Sequence, residues 1–206
     1  MKKLPLLGSL PLYCLAVLVA GCGTTSKLKP AIGQRIDLTQ YDRLLVETFK
    51  DEFSAKAKPV DRPQKQAEAD MACKMFAERI AAVVKETGAF REVVREGVPD
   101  AQTLILTGAI TRYVEGDATL RFLIGLGAGS SYFDARVELV DGTNNAVLGS
   151  WLVDRNSWGL GGGLAATQTP EGFMKSAAEK IGEDLAAARK AGFYEPKTAE
   201  QPVTRR

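Results

Sequence analysis

The chain has 206 residues, 45% of them apolar and 25% charged, with a formal net charge of +2. That length suits one globular domain. Histidine is absent, which removes the commonest general base and the commonest metal ligand, so no catalytic residue, metal site or cofactor is expected.

The chain opens as a secretory leader. Lys2 and Lys3 form a positive start, and an apolar run over 12–20 follows, interrupted upstream by Pro5, Gly8 and Pro11. A spanning helix needs about 20 apolar residues, and internal prolines remove hydrogen bonds, so a permanent transmembrane anchor is the poorer reading. The run closes on Leu18, Val19, Ala20, Gly21 and Cys22, which resembles the lipobox of bacterial lipoprotein precursors. The resemblance implies a signal peptide over 1–21, cleavage after Gly21, and palmitate-type lipidation of Cys22. A plain secretory signal with a fortuitous cysteine is the alternative. Gly23 stands where an aspartate would resemble an inner-membrane retention signal, so the expected location is the bacterial envelope, lipid-anchored in the outer membrane and facing the periplasm. Without Lys2 and Lys3 the chain has 25 basic side chains against 25 acidic ones. A neutral chain has no basic field for nucleic acid or anionic headgroups, so the membrane is expected as a partner through the lipid on Cys22, with the apolar glycine-rich loops open to a partner, a second copy or the bilayer.

Residues 22–40 lack periodicity and carry turn formers, so they are expected to be a flexible tether, dispensable for folding. The domain is expected over 41–192. A first strand is predicted over 44–49, and a polar loop with Pro59 and Pro63 follows. Ala72, Met75, Phe76, Ile80, Val83 and Val84 recur at helical spacing, which predicts a helix over 64–87 stopped by Gly88. Cys73 lies near that apolar face and reads as a small core residue, since no histidine exists to activate it. Being the one cysteine left beside Cys22 once Cys14 departs with the leader, it closes no internal disulfide.

A short strand is predicted over 90–95, then three longer ones over 103–113, 132–140 and 146–154. The first two alternate apolar and polar residues, and the last two are joined by a turn at 142–145. Such a sheet is antiparallel and half-buried, with charges of both signs on its wet face. A second helix is predicted over 170–192, with Thr169 as its cap, Pro170 at its first position and Glu171 near its positive end. The tail over 193–206, with Pro196 and Pro202, is expected to be disordered. The order β-α-β-β-β-β-α, with two helices on one face of a mainly antiparallel sheet, is an α+β two-layer sandwich.

Two glycine-rich stretches remain, over 121–129 and 158–164. Antiparallel strands reverse direction, so both are predicted to leave one end of the sheet. Gly125, Gly127 and Gly129 lack the dinucleotide spacing, and no P-loop lysine accompanies them, which weakens a phosphate cradle. The glycines serve either as bends that permit close backbone approach or as part of a contact surface. Phe122, Ile124, Leu126, Trp158 and Leu160 are the candidate contact residues, because solvated loops seldom hold so many large apolar groups.

The segments GAITRYVEG at 108–116 and VELVD at 137–141, with Arg121 and its glycine run between them, resemble a family of bacterial lipoproteins known as a domain of unknown function. That likeness spans about 40–192 and carries no established site. The element order is also similar to the amino-terminal domain of the TolB translocation protein and to the curli secretion lipoprotein. Those likenesses imply protein–protein work in the envelope. The expected function is therefore a lipid-anchored, non-catalytic interaction or assembly module, with an envelope protein or a second copy as partner. The alternative is a small-ligand or saccharide-binding lipoprotein, whose pocket Trp151, Trp158 or Tyr113 would line. An enzyme using lone acids such as Asp117 or Asp154 is the least supported class.

Overall fold

The computed structural model describes residues 23–31, 36–123, 128–157 and 167–194. In chain order the elements are β1 (Gly23–Thr25), β2 (Lys29–Pro30), β3 (Ile36–Asp37), β4 (Arg43–Val46), β5 (Lys50–Asp51), α1 (Arg62–Thr87), β6 (Glu92–Val94) and β7 (Thr103–Val114). There follow α2 (Ala118–Leu123), β8 (Tyr132–Asp141), β9 (Val147–Asn156), α3 (Pro170–Ala191) and β10 (Phe193–Tyr194). Eight strands form one sheet in the order β1-β9-β8-β7-β4-β6, with β2 also on β9 and β5 also on β7. The expected meander of β7, β8 and β9 is antiparallel throughout. β4 lies parallel to both β6 and β7. The mixed α+β class is as predicted.

α1 starts at Arg62, two residues before its predicted start, because Pro63 is tolerated in a first turn where its missing N–H would have no partner. α3 begins as predicted. The Thr169 hydroxyl accepts the Gly172 N–H at 3.2 Å, and Pro170 leads the helix. The two helices cover one sheet face. Where they cross, a Cβ at Gly182 would stand 2.4 Å from Val83 Cγ1, so glycine permits the close approach. Between the layers lie Leu44, Val46, Leu104, Leu106, Ile110, Phe133, Val137, Leu139, Trp151, Phe76, Ile80, Phe173, Ile181 and Leu185. A register shift between Ile110 and Arg112 adds a residue to β7 and returns Tyr113 to the buried face beside Ile110.

The first strand, predicted over 44–49, ends at Val46, and a second short one follows it. The chain breaks pairing after Val46 and resumes at Lys50, and Phe49 between them turns inward to meet Phe76 at a ring distance of 4.8 Å. Opposite it, Gly108 has φ +150°, and a Cβ there would stand 2.0 Å from the Arg136 carbonyl oxygen and 3.0 Å from the Phe49 ring. Only glycine fits that juncture without displacing backbone.

The expectation of a free tether over 22–40 needs correction. Gly23, Thr24 and Thr25 pair with Arg155, Asp154 and Val153, and Lys29 and Pro30 pair with Ser150 and Gly149. Leu28, Ile36 and Leu38 are buried in the main core. The segment has no period because it binds as separate two- and three-residue strands, with single apolar anchors between them. The predicted tail also begins too early. Phe193 and Tyr194 pair with Asp37 and Ile36, so the folded unit extends past residue 192 at one end and starts before residue 41 at the other. Residues 195–206 and Cys22 lie outside the described residues.

Candidate functional site

One end of the sheet gathers the flanks of both glycine-rich stretches. β7 ends there and β8 begins there, and the Asp117 N–H donates to the Gly129 carbonyl at 2.8 Å. Ser131, fully buried, ties the strand ends together. Its N–H donates to Ser157 Oγ at 2.9 Å, and the Ser157 N–H returns a bond to the Ser131 carbonyl at 3.1 Å. Ser131 Oγ lies 2.7 Å from the Glu115 carbonyl and 2.9 Å from the Gln168 carbonyl, and its one proton serves one of them at a time. Residues 115, 129, 131, 157 and 168 therefore meet at one place, as the strand directions require.

From this knot projects α2, a helix where the sequence suggested a loop. Asp117 starts it: its Oδ1 accepts the Thr119 N–H at 2.8 Å and the Leu120 N–H at 3.0 Å. These bonds satisfy helix donors that otherwise lack partners, so Asp117 is a cap rather than a free acid. The helix is too short to bury an apolar stripe of its own. Phe122 is 63% exposed and Leu123 71% exposed. Of the candidate contact residues, Phe122 thus stands on the surface, while Ile124, Leu126, Trp158 and Leu160 lie outside the described residues.

Two polar arrangements support this end. Behind the knot, the Tyr113 hydroxyl donates to Glu171 Oε1 at the start of α3. Burial raises the Glu171 carboxyl, but the Tyr113 bond, followed by its own backbone N–H, outweighs it and holds the group below its usual range. On the open face, Asp134 sits opposite Arg112 on β7 and Asp154 on β9. Asp134 Oδ1 is buried with no hydrogen-bond partner among the described residues. Burial, and then the Asp154 charge, push its carboxyl upward. The Arg112 guanidinium stacks 3.3 Å from the Tyr132 ring centroid.

Trp151 is buried in the core, with its indole N–H bonded to Asp184. Tyr113 is buried as well. Cys73 is buried, and burial followed by the charges of Asp51 and Asp70 pushes its thiol up to about 12, so it is an inert core residue. The Leu28–Asp184 contact and the short N-terminal strands were missed because their segment has no pattern. An isolated Leu28 within a polar run was the one signal available.

The family described as a domain of unknown function (DUF4410) matches residues 41–162. No curated protein matches the chain. Among solved structures, the chain is similar to the PelC dodecamer from Paraburkholderia phytofirmans, at 16% identity and a TM-score of 0.50. The alignment covers 80% of this chain and 97% of that one. A leucine-to-methionine variant of the same dodecamer matches over the same shares at 17% identity and a TM-score of 0.49. At such identity the likeness is one of fold.

Proposed function

This chain belongs to the DUF4410 family, and from that premise we propose that it is a lipid-anchored envelope protein, non-catalytic, that assembles with copies of itself. The observation that carries the reading is a sheet face that no described helix covers. Among the described residues α1 and α3 shield one side, and the other side presents Leu152, 55% exposed, beside Arg136 and Asp154. A large aliphatic group among charges of both signs suits a partner with the same mixture, and a second copy supplies it. The PelC neighbour, whose fold is similar, is a dodecamer, and that supports self-assembly. The lipobox at Cys22 supports anchoring, with the outer membrane as the site and the periplasm as the side faced.

The test is the mass of the detergent-purified protein by light scattering. A multi-subunit species is expected, and Leu152→Glu is expected to shift it toward monomer without unfolding it. A wild-type monomer at every concentration would contradict self-assembly. Anchoring is tested separately with a fatty-acid probe in growing cells, where Cys22→Ser is expected to abolish labelling.

A further inference from the structure

We infer that the sheet end bearing α2 faces the lipid bilayer, with Phe122 and Leu123 seated at its surface. The inference rests on the reading of Cys22 as the acylated residue, and it adds an orientation that an anchor alone does not impose. A flexible tether would leave the domain free to tumble about its lipid. Here the segment after the anchor is bound. Gly23 pairs with Arg155, the penultimate residue of β9, and the Arg155 guanidinium holds Thr25 Oγ1 at 3.0 and 3.1 Å. The lipid-bearing residue is one peptide unit from Gly23, a Cα step of about 3.8 Å.

That places the anchor at the same sheet end as α2. Arg155 pairs with Phe133, and Phe133 with Tyr113. The path from β1 to β7 therefore crosses three strand spacings, about 14 Å in all. Leaving β7, the chain runs three residues and enters α2, where Leu120 is exposed and Phe122 and Leu123 more so. The opposite sheet end carries the turn of Gly142, Thr143 and Asn144 and the carboxyl of Asp141, with Val98 and Val147 exposed beside them. The anchor thus lies at the sheet end that carries Phe122 and Leu123, and the turn at 142–144 lies at the other.

The rim fits the same assignment. Arg112 stacked on Tyr132 near that end offers an aromatic body and a cationic head, the pairing that headgroup regions accept. No helix among the described residues is long and apolar enough to cross a membrane. The contact is accordingly interfacial, made by a short tip beside the acyl anchor.

The experiment uses the protein purified from membranes and reconstituted into vesicles of phosphatidylethanolamine and phosphatidylglycerol, some brominated along their acyl chains. Intact mass reports whether Cys22 carries lipid. If it does not, the lipoprotein reading fails, and the same thiol is coupled to a maleimide phospholipid so that the orientation is still measured. Leu123→Trp adds one fluorophore at the tip, and Thr143→Trp adds one at the far pole. The added emission at position 123 is expected to be quenched by brominated lipid and shielded from aqueous acrylamide, with the reverse at 143. Acrylamide quenching at both positions would overturn the inference. So would shielding of position 123 from both quenchers, which would assign the tip to a protein contact. Phe122→Trp repeats the measurement if Leu123→Trp does not fold.

Discussion

Asp184 on α3 accepts the indole N–H of Trp151 on β9 at 2.9 Å. The same oxygen accepts the Leu28 N–H at 2.5 Å. One carboxylate oxygen therefore joins the second helix, the sheet and the N-terminal segment, and it satisfies a buried indole and a backbone donor together. Replacing Asp184 by Ala leaves both donors without partners. Each orphaned donor costs about 1–3 kcal/mol. Asp184→Ala is expected to lower the melting temperature by roughly 5–10 °C, read by circular dichroism. An unchanged melt would mean that neither bond matters to stability.

The N-terminal segment should be required for the fold. A chain beginning at Tyr41 loses Leu28, Ile36 and Leu38, each buried, and exposes the edge of β9 that β1 and β2 cover. Burial of one such side chain contributes about 1.5–3 kcal/mol. Against a chain that starts at Gly23, the shorter one is expected to melt at a much lower temperature or to aggregate through its bare edge. Equal melting of the two would restore the picture of a detached tether.

A second pair predicts a pH response. The Tyr41 hydroxyl donates to Asp141 Oδ2 at 2.6 Å. That bond, joined by the Thr143 and Asn144 N–H groups, holds the Asp141 carboxyl below its ordinary range against a smaller opposing effect of burial. Burial first, and then the Asp141 bond, raise the Tyr41 phenol above its ordinary value. A depressed carboxyl contributes stability above its unfolded pKa of about 3.9 and loses it as pH falls through the folded value. A raised phenol contributes stability below about 10 and loses it as pH climbs through its higher folded value. Tyr41→Phe is therefore expected to be less stable than wild type at neutral pH, with the gap narrowing in acid. Denaturant unfolding at stepped pH measures this, and a gap constant down to about pH 2 would count against the pairing.

Gly108→Ala should be among the most damaging single changes. With φ at +150°, and with the Arg136 carbonyl oxygen 2.0 Å from where a methyl carbon would stand, the position leaves no room for a side chain. Strain of this kind costs about 1–3 kcal/mol for the backbone alone, and displacement of the Phe49 ring adds to it. A clear fall in the denaturant midpoint is expected, while wild-type stability would show that the β5–β7 juncture yields readily.

Phe122→Ser with Leu123→Ser should behave in the opposite way. Both side chains are exposed, and such sites shift stability by about 0.5 kcal/mol or less. The double variant is expected to melt near wild type. Unfolding would show that these side chains pack against the domain.

Periodicity in the sequence by itself determined the long elements. Ala72, Phe76, Ile80 and Val84 on α1, the alternation of Phe133, Ala135, Val137 and Leu139 on β8, and the cap at Thr169 each act over neighbours three or four residues away at most. Local chemistry of that range also ordered β7, β8 and β9 into a meander, and hence set both glycine-rich stretches at one end. The tertiary structure alone decided where β4 enters the sheet. Its four residues pair in parallel with β7 and three of them with β6, strands separated from it by α1 and the segments that follow. It alone decided that residues 23–31 are bound, because two-residue strands have no period and their hydrogen bonds come from the free edge of β9. The fate of Leu28 was set by Asp184, 156 positions along the chain. No pattern near Leu28 carries that distance, since the partner exists only once α3 has packed on the sheet.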